Sequence, residues 1–321
     1  MKQIFSPTNK MLRQLDDITQ ILADAKFQVE NNTKLRKENR IKSIHSTLAL
    51  ENNSLTLGQM ATLMESRKVH GEANEIQAVK NTYDAYQEIL TLKPYRQKDF
   101  LHAHDLLIKG LANESGQYRH DSAVLAASAA GAKPSLIGAF MTDLFKWGGE
   151  DDSAALLKAC VFHYEIMAVL PFESGNGVMG RLWQTIILAQ WNPIFAWLPL
   201  EAIIYEKRQA YDDVLAQAAV QKDAGVFIEF MFTIILETLM VSKTDENYRN
   251  KVHLNLTSGE NDVFRAVEKY LQNYDFITAT IVGKLTGEKT PNARKHLAKF
   301  VEVGLLEMRK KNSICLYSFK K

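Results

Sequence analysis

The chain has 321 residues, which is enough for two domains and a sizeable core. It is 46% hydrophobic and 24% charged with a formal charge of +2, an ordinary globular balance that excludes bulk attraction to nucleic acid or to a membrane. Its two cysteines, Cys160 and Cys315, exclude a disulfide framework and zinc-binding spacing, which favours a reducing, cytoplasmic location.

No membrane segment is expected. The first ten residues lack the apolar stretch of a secretory signal. The longest apolar segment, 226–241, contains Glu229 and Glu237 and is shorter than the roughly 20 residues that cross a bilayer. We therefore predict that it forms a buried helix.

Apolar residues recur at helical spacing through the first half of the chain. A basic run at 34–42 favours a solvated helix face, with a partner-binding face as the alternative. His102 and His104 do not favour a metal site, because residues two apart on a helix do not face each other. The predicted helices are 9–23, 25–46, 58–66 after a capping Thr56, 74–92, 99–111, 135–147 ending at Gly148 and Gly149, and 154–169.

The turn between two apolar helices, at residues 170–177, carries the most specific chemical signal. Gly175 and Gly177 flank Asn176 and allow backbone conformations in which several N–H groups converge on one point. At a helix N-terminus the dipole adds to that point and attracts phosphate, and Arg181 could supply a fork-shaped cation. The alternative is an ordinary tight loop followed by a solvated arginine.

Residues 170–181, LPFESGNGVMGR, resemble the Fic motif H-P-F-x-D/E-G-N-G-R-x-x-R. The resemblance implies that the Gly175, Asn176 and Gly177 backbone holds the phosphates of ATP or a related nucleotide, and that Arg181 binds the terminal phosphate. The matching positions are Pro171, Phe172, Gly175, Asn176, Gly177 and Arg181.

Three positions of the same motif depart from the family. Leu170 stands at the general-base histidine, and that base is worth typically about 10² to 10⁴ in rate. Ser174 stands at the acidic Mg²⁺ ligand, which leaves Mg²⁺ doubtful and Glu173 as a weak substitute, and Val178 replaces an arginine. We therefore expect a nucleotide-binding protein with weak or absent protein adenylyltransferase (AMPylation) activity. An enzyme of altered chemistry with a different base stays open.

Two upstream segments extend the resemblance over roughly residues 43–191. Thr47, Glu51 and Asn52 fit the S/T-x-x-x-E-G/N inhibitory helix of the family, which implies that Glu51 pairs with Arg181. HDLLIKGLANESGQYR at 104–119 resembles the segment before the active-site flap, a small β-hairpin that would lie within 128–139, from Ser128 to Ala139. A target protein would dock there by strand addition, although small side chains equally suit a packed loop.

The C-terminal part has a different pattern, after a helix at 200–220 and a polar linker at 246–257. Helices at 260–271, at 278–285 and from Thr290–Pro291 to Gly304, followed by strands at 305–308 and 314–319, resemble a winged helix-turn-helix. That fold would direct Asn292, Arg294, Lys295 and Lys299 to DNA, although many winged helices bind proteins instead.

The predicted architecture is mainly α: an N-terminal helical region (1–100), a Fic-type helical core with its hairpin flap (101–245), the linker and a winged-helix domain (258–321). A second function follows from the last domain. The chain would then be a DNA-binding regulator that uses the Fic core as a sensor or dimerisation platform, with a homo-oligomer possible.

Overall fold

The computed structural model describes residues 5–24, 27, 29, 32–112, 114–120, 131–255, 257–271, 274, 276–302, 305–311 and 314–319. They belong to two compact units, Met1–Ser242 and Lys243–Lys321. Helices form most of both units, and the sheet found among these residues has two strands. The prediction of a mainly helical chain is therefore confirmed.

The first unit is built from helices. Two of them, α7 and α8, carry the turn of interest between them. In chain order the helices are α1 (Asn9–Asp24), α2 (Thr33–Leu50), α3 (Leu57–Met64), α4 (Ala73–Gln87), α5 (Gln97–Ile108), α6 (Pro134–Glu150), α7 (Ala155–Val169), α8 (Asn176–Trp191), a 3-10 helix (Pro193–Trp197), α9 (Leu200–Glu206), α10 (Arg208–Gln221) and α11 (Gly225–Asn255), whose residues after Ser242 belong to the second unit.

Helix α8 lies at the centre of the first core. Every residue from 177 to 189 is buried, so the helix is covered on all sides rather than along one stripe. Gly180 permits the close contact with α7, because a Cβ there would lie 2.8 Å from the ring of His163. The indole of Trp183 donates to the Pro94 carbonyl at 3.0 Å and contacts the Phe100 ring edge-on at 5.0 Å.

Several predicted helix boundaries are wrong. Helix α2 begins at Thr33 rather than at 25, because the Asn32 side chain caps it by accepting from the Leu35 N–H at 3.0 Å. Helix α6 does not end at Gly148. A Cβ on that glycine would lie 2.6 Å from the Phe162 ring, so Gly148 allows α6 and α7 to pack closely and does not end α6. The predicted helix 200–220 is two helices, α9 and α10, separated at Lys207.

Helix α11 contains the apolar segment 226–241. Its part Gly225–Ser242 is long and apolar enough to span a bilayer, with a mean hydropathy of 1.8, and 50% of it is buried. Phe227, Met231 and Ile235 lie in the first core. Helix α11 continues to Asn255 and so includes most of the predicted linker at 246–257.

The second unit holds α12 (Ser258–Leu271), α13 (Ala279–Thr286), α14 (Thr290–Glu302) and the antiparallel strands β1 (Leu306–Lys311) and β2 (Ile314–Phe319). Thr278 caps α13 by accepting from the Ile281 N–H at 3.4 Å. Ile277 pairs with Tyr317 of β2 as an isolated bridge. Phe300 of α14 is fully buried in this unit's own core.

Candidate anion-binding site

The turn between α7 and α8 requires unusual backbone conformations. Leu170 ends α7 in the left-handed region, with φ 49° and ψ 65°, and its N–H bonds the Ile166 carbonyl at 3.0 Å. Gly175 precedes α8 with φ 75°. A Cβ at Gly175 would also lie 2.7 Å from Ile108 Cδ1, so both conformation and space require glycine there.

The Asn176 side chain closes the turn internally. Its Oδ1 accepts from the Phe172 N–H at 3.0 Å, and its Nδ2 donates to the Phe172 carbonyl at 2.8 Å. The first bond into α8 runs from the Met179 N–H to the Gly175 carbonyl at 2.9 Å. No side chain of the described residues caps α8, so its first amides stay directed outward from the helix start. The Asn176 side chain is therefore engaged within the turn, so the donors directed outward at the start of α8 are backbone N–H groups.

A carboxylate lies at the N-terminus of α8. Glu51, at the C-terminal end of α2, lies so close over Gly177 that a Cβ on this glycine would overlap its Oε1. The same oxygen accepts from Arg181 Nη2 at 2.6 Å. The N-terminus of α8 and a guanidinium thus share one negative group, as helix dipole and charge both favour.

Arg181 is buried, with 3% of its surface exposed, and faces α2. Its Nε donates to Thr47 Oγ1 at 2.8 Å, and its Nη2 donates to the Thr47 carbonyl at 3.1 Å. Burial acts to lower the pKa of Arg181, but the Glu51 carboxylate and the hydroxyls of Tyr211 and Tyr86 together outweigh burial, and the pKa is raised. The structure therefore brings Thr47, Glu51 and Arg181 together.

Asn52 lies outside this contact. It has φ 65°, a conformation that glycine and asparagine adopt more easily than other residues, and its Oδ1 accepts from Arg208 Nη2 at 3.0 Å. Its role is to end α2 so that Glu51 is the last side chain before the chain turns away.

His104 fixes the turn from α5, and sequence reasoning missed it. Its Nδ1 accepts from the Gly116 N–H at 3.0 Å, so the neutral tautomer carries the proton on Nε2, which donates to the Ser174 carbonyl at 3.1 Å. The ring stacks on Phe172 with 3.6 Å between centroids. Burial lowers the pKa of His104 to about 4. His102, in contrast, is exposed and pairs with Glu88 at 3.0 Å.

Arg119 supports the other side of the turn. Its Nε donates to the Leu170 carbonyl at 2.6 Å and its Nη2 to the Ala132 carbonyl at 2.6 Å, while its N–H bonds the Pro171 carbonyl at 3.0 Å. Sequence spacing gives no sign of these contacts, because Arg119 and Leu170 are 51 positions apart. Of the predicted flap, residues 128–130 lie outside the described part of the chain, and residues 134–139 form the start of α6 rather than a hairpin.

The side chains around the turn offer little acid–base chemistry. Leu170 is half-buried, Val178 is buried, and Ser174 and Glu173 are exposed. His163 lies in the same core but is fully buried, and it contacts Gln184 and the Tyr211 hydroxyl. Burial lowers the pKa of His163 to about 3, so this imidazole and that of His104 both stay neutral and engaged in hydrogen bonds.

Residues 94–188 match the Fic/DOC family model. The chain carries a Fic/DOC domain. A crystal structure of a Fic family protein from Desulfovibrio desulfuricans G20 aligns with 100% of this chain and 98% of that one, at 28% identity and a TM-score of 0.73. Fic-1 (residues 134–508) from C. elegans, at 18% identity and a TM-score of 0.61, covers 74% of this chain and 72% of that one, and shares the fold.

Curated relatives of the Fic/DOC domain are named protein adenylyltransferases. The Aedes aegypti protein adenylyltransferase Fic is 25% identical over 218 residues, which are 63% of this chain and 42% of that protein. The Caenorhabditis elegans protein adenylyltransferase fic-1 is 26% identical over 195 residues, or 56% of this chain and 37% of that protein. The chain thus spans about two fifths of the length of these relatives.

Proposed function

We propose that the Fic/DOC domain binds the phosphates of an ATP-like nucleotide at the N-terminus of α8, in competition with Glu51. The observation that carries the proposal is the Glu51 carboxylate over Gly177 and against Arg181. A negative group is stable at this point because outward-directed amides and a buried guanidinium both face it. A nucleotide phosphate would present the same charge and more oxygens to the same donors.

The choice of an adenine nucleotide rests on the relatives. Adenylyl transfer uses ATP, and the named relatives are adenylyltransferases. In this family the acceptor is a protein hydroxyl, so a target protein is the second partner that we propose. Residues 128–139 would be its docking segment.

Adenylyl transfer by this chain would be weak or absent. Leu170 has no lone pair to accept a proton from an attacking hydroxyl, and loss of a general base typically costs about 10² to 10⁴ in rate. His104 cannot replace it while its two ring nitrogens are bonded to Gly116 and Ser174. The site does not fit the Mg²⁺ of the family, because Ser174 offers a hydroxyl where carboxylates are preferred.

Calorimetric titration with ATP and with ADP, each with and without Mg²⁺, tests the binding proposal. Removing the competing carboxylate by Glu51→Gly should tighten ATP binding by about tenfold or more, which is roughly 1.4 kcal/mol. Glu72→Gly is the matched control, because Glu72 makes no capping bond at the start of α4. Absence of nucleotide binding by both wild type and Glu51→Gly would rule out the nucleotide site.

A separate assay addresses transfer. Incubation with ATP labelled on its α-phosphate should give little or no labelled protein, either of the chain itself or of proteins in a lysate. Strong labelling by the wild-type chain would refute the impaired activity while leaving nucleotide binding intact.

A second candidate function, DNA binding, is supported by the charge of the second unit. Residues 243–321 hold 15 lysines and arginines against nine acidic residues, whereas the chain as a whole is only +2. Three helices followed by an antiparallel hairpin are the elements of a winged helix-turn-helix. Asn292, Arg294 and Lys295 are exposed on α14, whereas Lys299 is half-buried and pairs with Glu302 at 3.3 Å.

Fluorescence anisotropy with labelled duplex DNA over a salt series tests this function. Binding should weaken steeply with salt, and Arg294→Ala should weaken it further and reduce the logarithmic salt slope by about 1. Arg265→Ala, at an exposed arginine of α12 beside Asp262, is the matched control and should bind as wild type does. No binding at low salt would refute the DNA function.

A further inference from the structure

A cavity of about 660 Å³ opens between α3 and α4, away from the turn. Its volume is within the roughly 300–1,000 Å³ of small-molecule sites. One wall is a single face of α4, because the lining residues from this helix are spaced three or four positions apart. The opposite wall is the end of α3 and the segment after it. The lining residues are Leu63, Met64, Ser66, Arg67, Lys68, Val69, Ile76, Val79, Lys80, Tyr83 and Asp84.

The lining combines an apolar floor with a cationic rim. Leu63, Met64, Ile76 and Val79 give the floor, and Val79 is almost completely buried, with 1% exposed. Such a floor favours a hydrocarbon group, because covering it removes apolar surface from water.

Charge decides what the rim would accept. Arg67 is already paired with Glu65, which also pairs with Lys37 at 3.3 Å. Lys68 and Lys80 have neither an ion pair nor a hydrogen bond to any described side chain, and Asp84 is the acidic residue of the lining. The rim therefore carries an excess of positive charge with two free ammonium groups, which favours an anion over a cation.

We propose that this cavity binds a single-chain anionic amphiphile. Its carboxylate or phosphate headgroup lies against Lys68 and Lys80, and its hydrocarbon chain lies on Ile76 and Val79. The site shares no lining residue with the turn at α8, so it is a second ligand site that is independent of nucleotide binding.

Titration calorimetry of the full chain with monomeric decanoate and decyl phosphate tests the proposal and separates the two headgroups. Decanol and decyltrimethylammonium are the neutral and cationic controls. At least one anionic amphiphile should bind, the neutral one more weakly, and the cationic one not measurably. Equal binding of the cationic amphiphile, or no binding by either anionic one, would overturn the proposal.

Charge reversal locates the site. Lys80→Glu should weaken binding of the anionic amphiphile by about tenfold. Lys98→Glu makes the same charge change on an exposed residue of α5 and should leave binding unchanged. An unchanged affinity in Lys80→Glu would overturn the proposal. If Lys80→Glu lowers the melting temperature, Lys68→Glu, which lies outside the helices, provides the same comparison. Retained binding of the anionic amphiphile by Glu51→Gly would separate this site from the nucleotide site.

Discussion

Protonation of His104 should loosen the turn that precedes α8. The neutral ring accepts from the Gly116 N–H and donates to the Ser174 carbonyl, so a second ring proton would face the Gly116 N–H instead of accepting from it. Burial lowers the pKa of His104 to about 4, against roughly 6.5 in an unfolded chain. The unfolded state therefore binds the proton first as the pH falls.

The sign and size of the effect follow from linkage. Above pH 6.5 both states are neutral at His104 and this residue gives no pH dependence. Between about pH 6.5 and 4 the free energy of unfolding falls, by about 2 kcal/mol at pH 5 and by roughly 3 kcal/mol in total. His163, whose pKa burial lowers to about 3, contributes with the same sign.

The variant His104→Gln isolates this contribution. Its side-chain oxygen and amide can replace the acceptor and the donor of the neutral ring but cannot take up a proton at these pH values. Urea unfolding of the first unit, followed by tryptophan fluorescence at pH 7.5 and 5.0, should show a loss for wild type that exceeds the loss for His104→Gln by about 2 kcal/mol. The His163 contribution cancels in this difference.

Two measurements would refute this reasoning. One is an equal pH-dependent loss in wild type and His104→Gln. The other is a His104 titration near pH 6.5 in NMR spectra of the histidine-labelled chain. His102→Gln is the matched control for the first, because it makes the same substitution on the exposed side of α5, away from the turn.

The remaining predictions concern three other positions. In the Glu51→Gly background, Leu170→His should raise adenylyl transfer from labelled ATP by up to about 10²-fold. The variant should fold as well as its parent because histidine tolerates φ 49° better than leucine does. No gain in transfer would show that the missing Mg²⁺ ligand or the missing arginine limits the rate. Arg119→Ala should lower the free energy of unfolding by about 3 kcal/mol, because the Leu170 and Ala132 carbonyls lose a charged donor; a loss under 1 kcal/mol in urea unfolding would contradict this. Gly177→Ala should displace Glu51 and lower the melting temperature. Gly58→Ala is the control, because a Cβ at Gly58 would have no atom within 4 Å, and it should stabilise α3 by roughly 0.5–1 kcal/mol. Equal effects of the two changes would show that Gly177 is not in close contact with the carboxylate.

Local signals in the sequence were sufficient for most of the helices. Thr56 acts as the expected cap of α3 because an N-cap bond reaches only three residues along the chain. The left-handed Leu170 before proline and the left-handed Gly175 place the turn where the motif predicted it. The resemblance of residues 170–181 to the Fic motif was confirmed by the match of residues 94–188 to the family.

The sequence by itself determined which residues can form the turn and which chemistry is missing from it, because backbone freedom, capping and the identity of Leu170 are properties of neighbouring residues. Only the tertiary structure decided what surrounds the turn. Arg181 and Glu51 are 130 positions apart, and His104 and Ser174 are 70 apart, so their contacts depend on how the helices pack. The same packing turned Gly148 from an apparent helix end into a point of contact with Phe162, since local pattern carries no information about a neighbour that arrives from elsewhere in the chain.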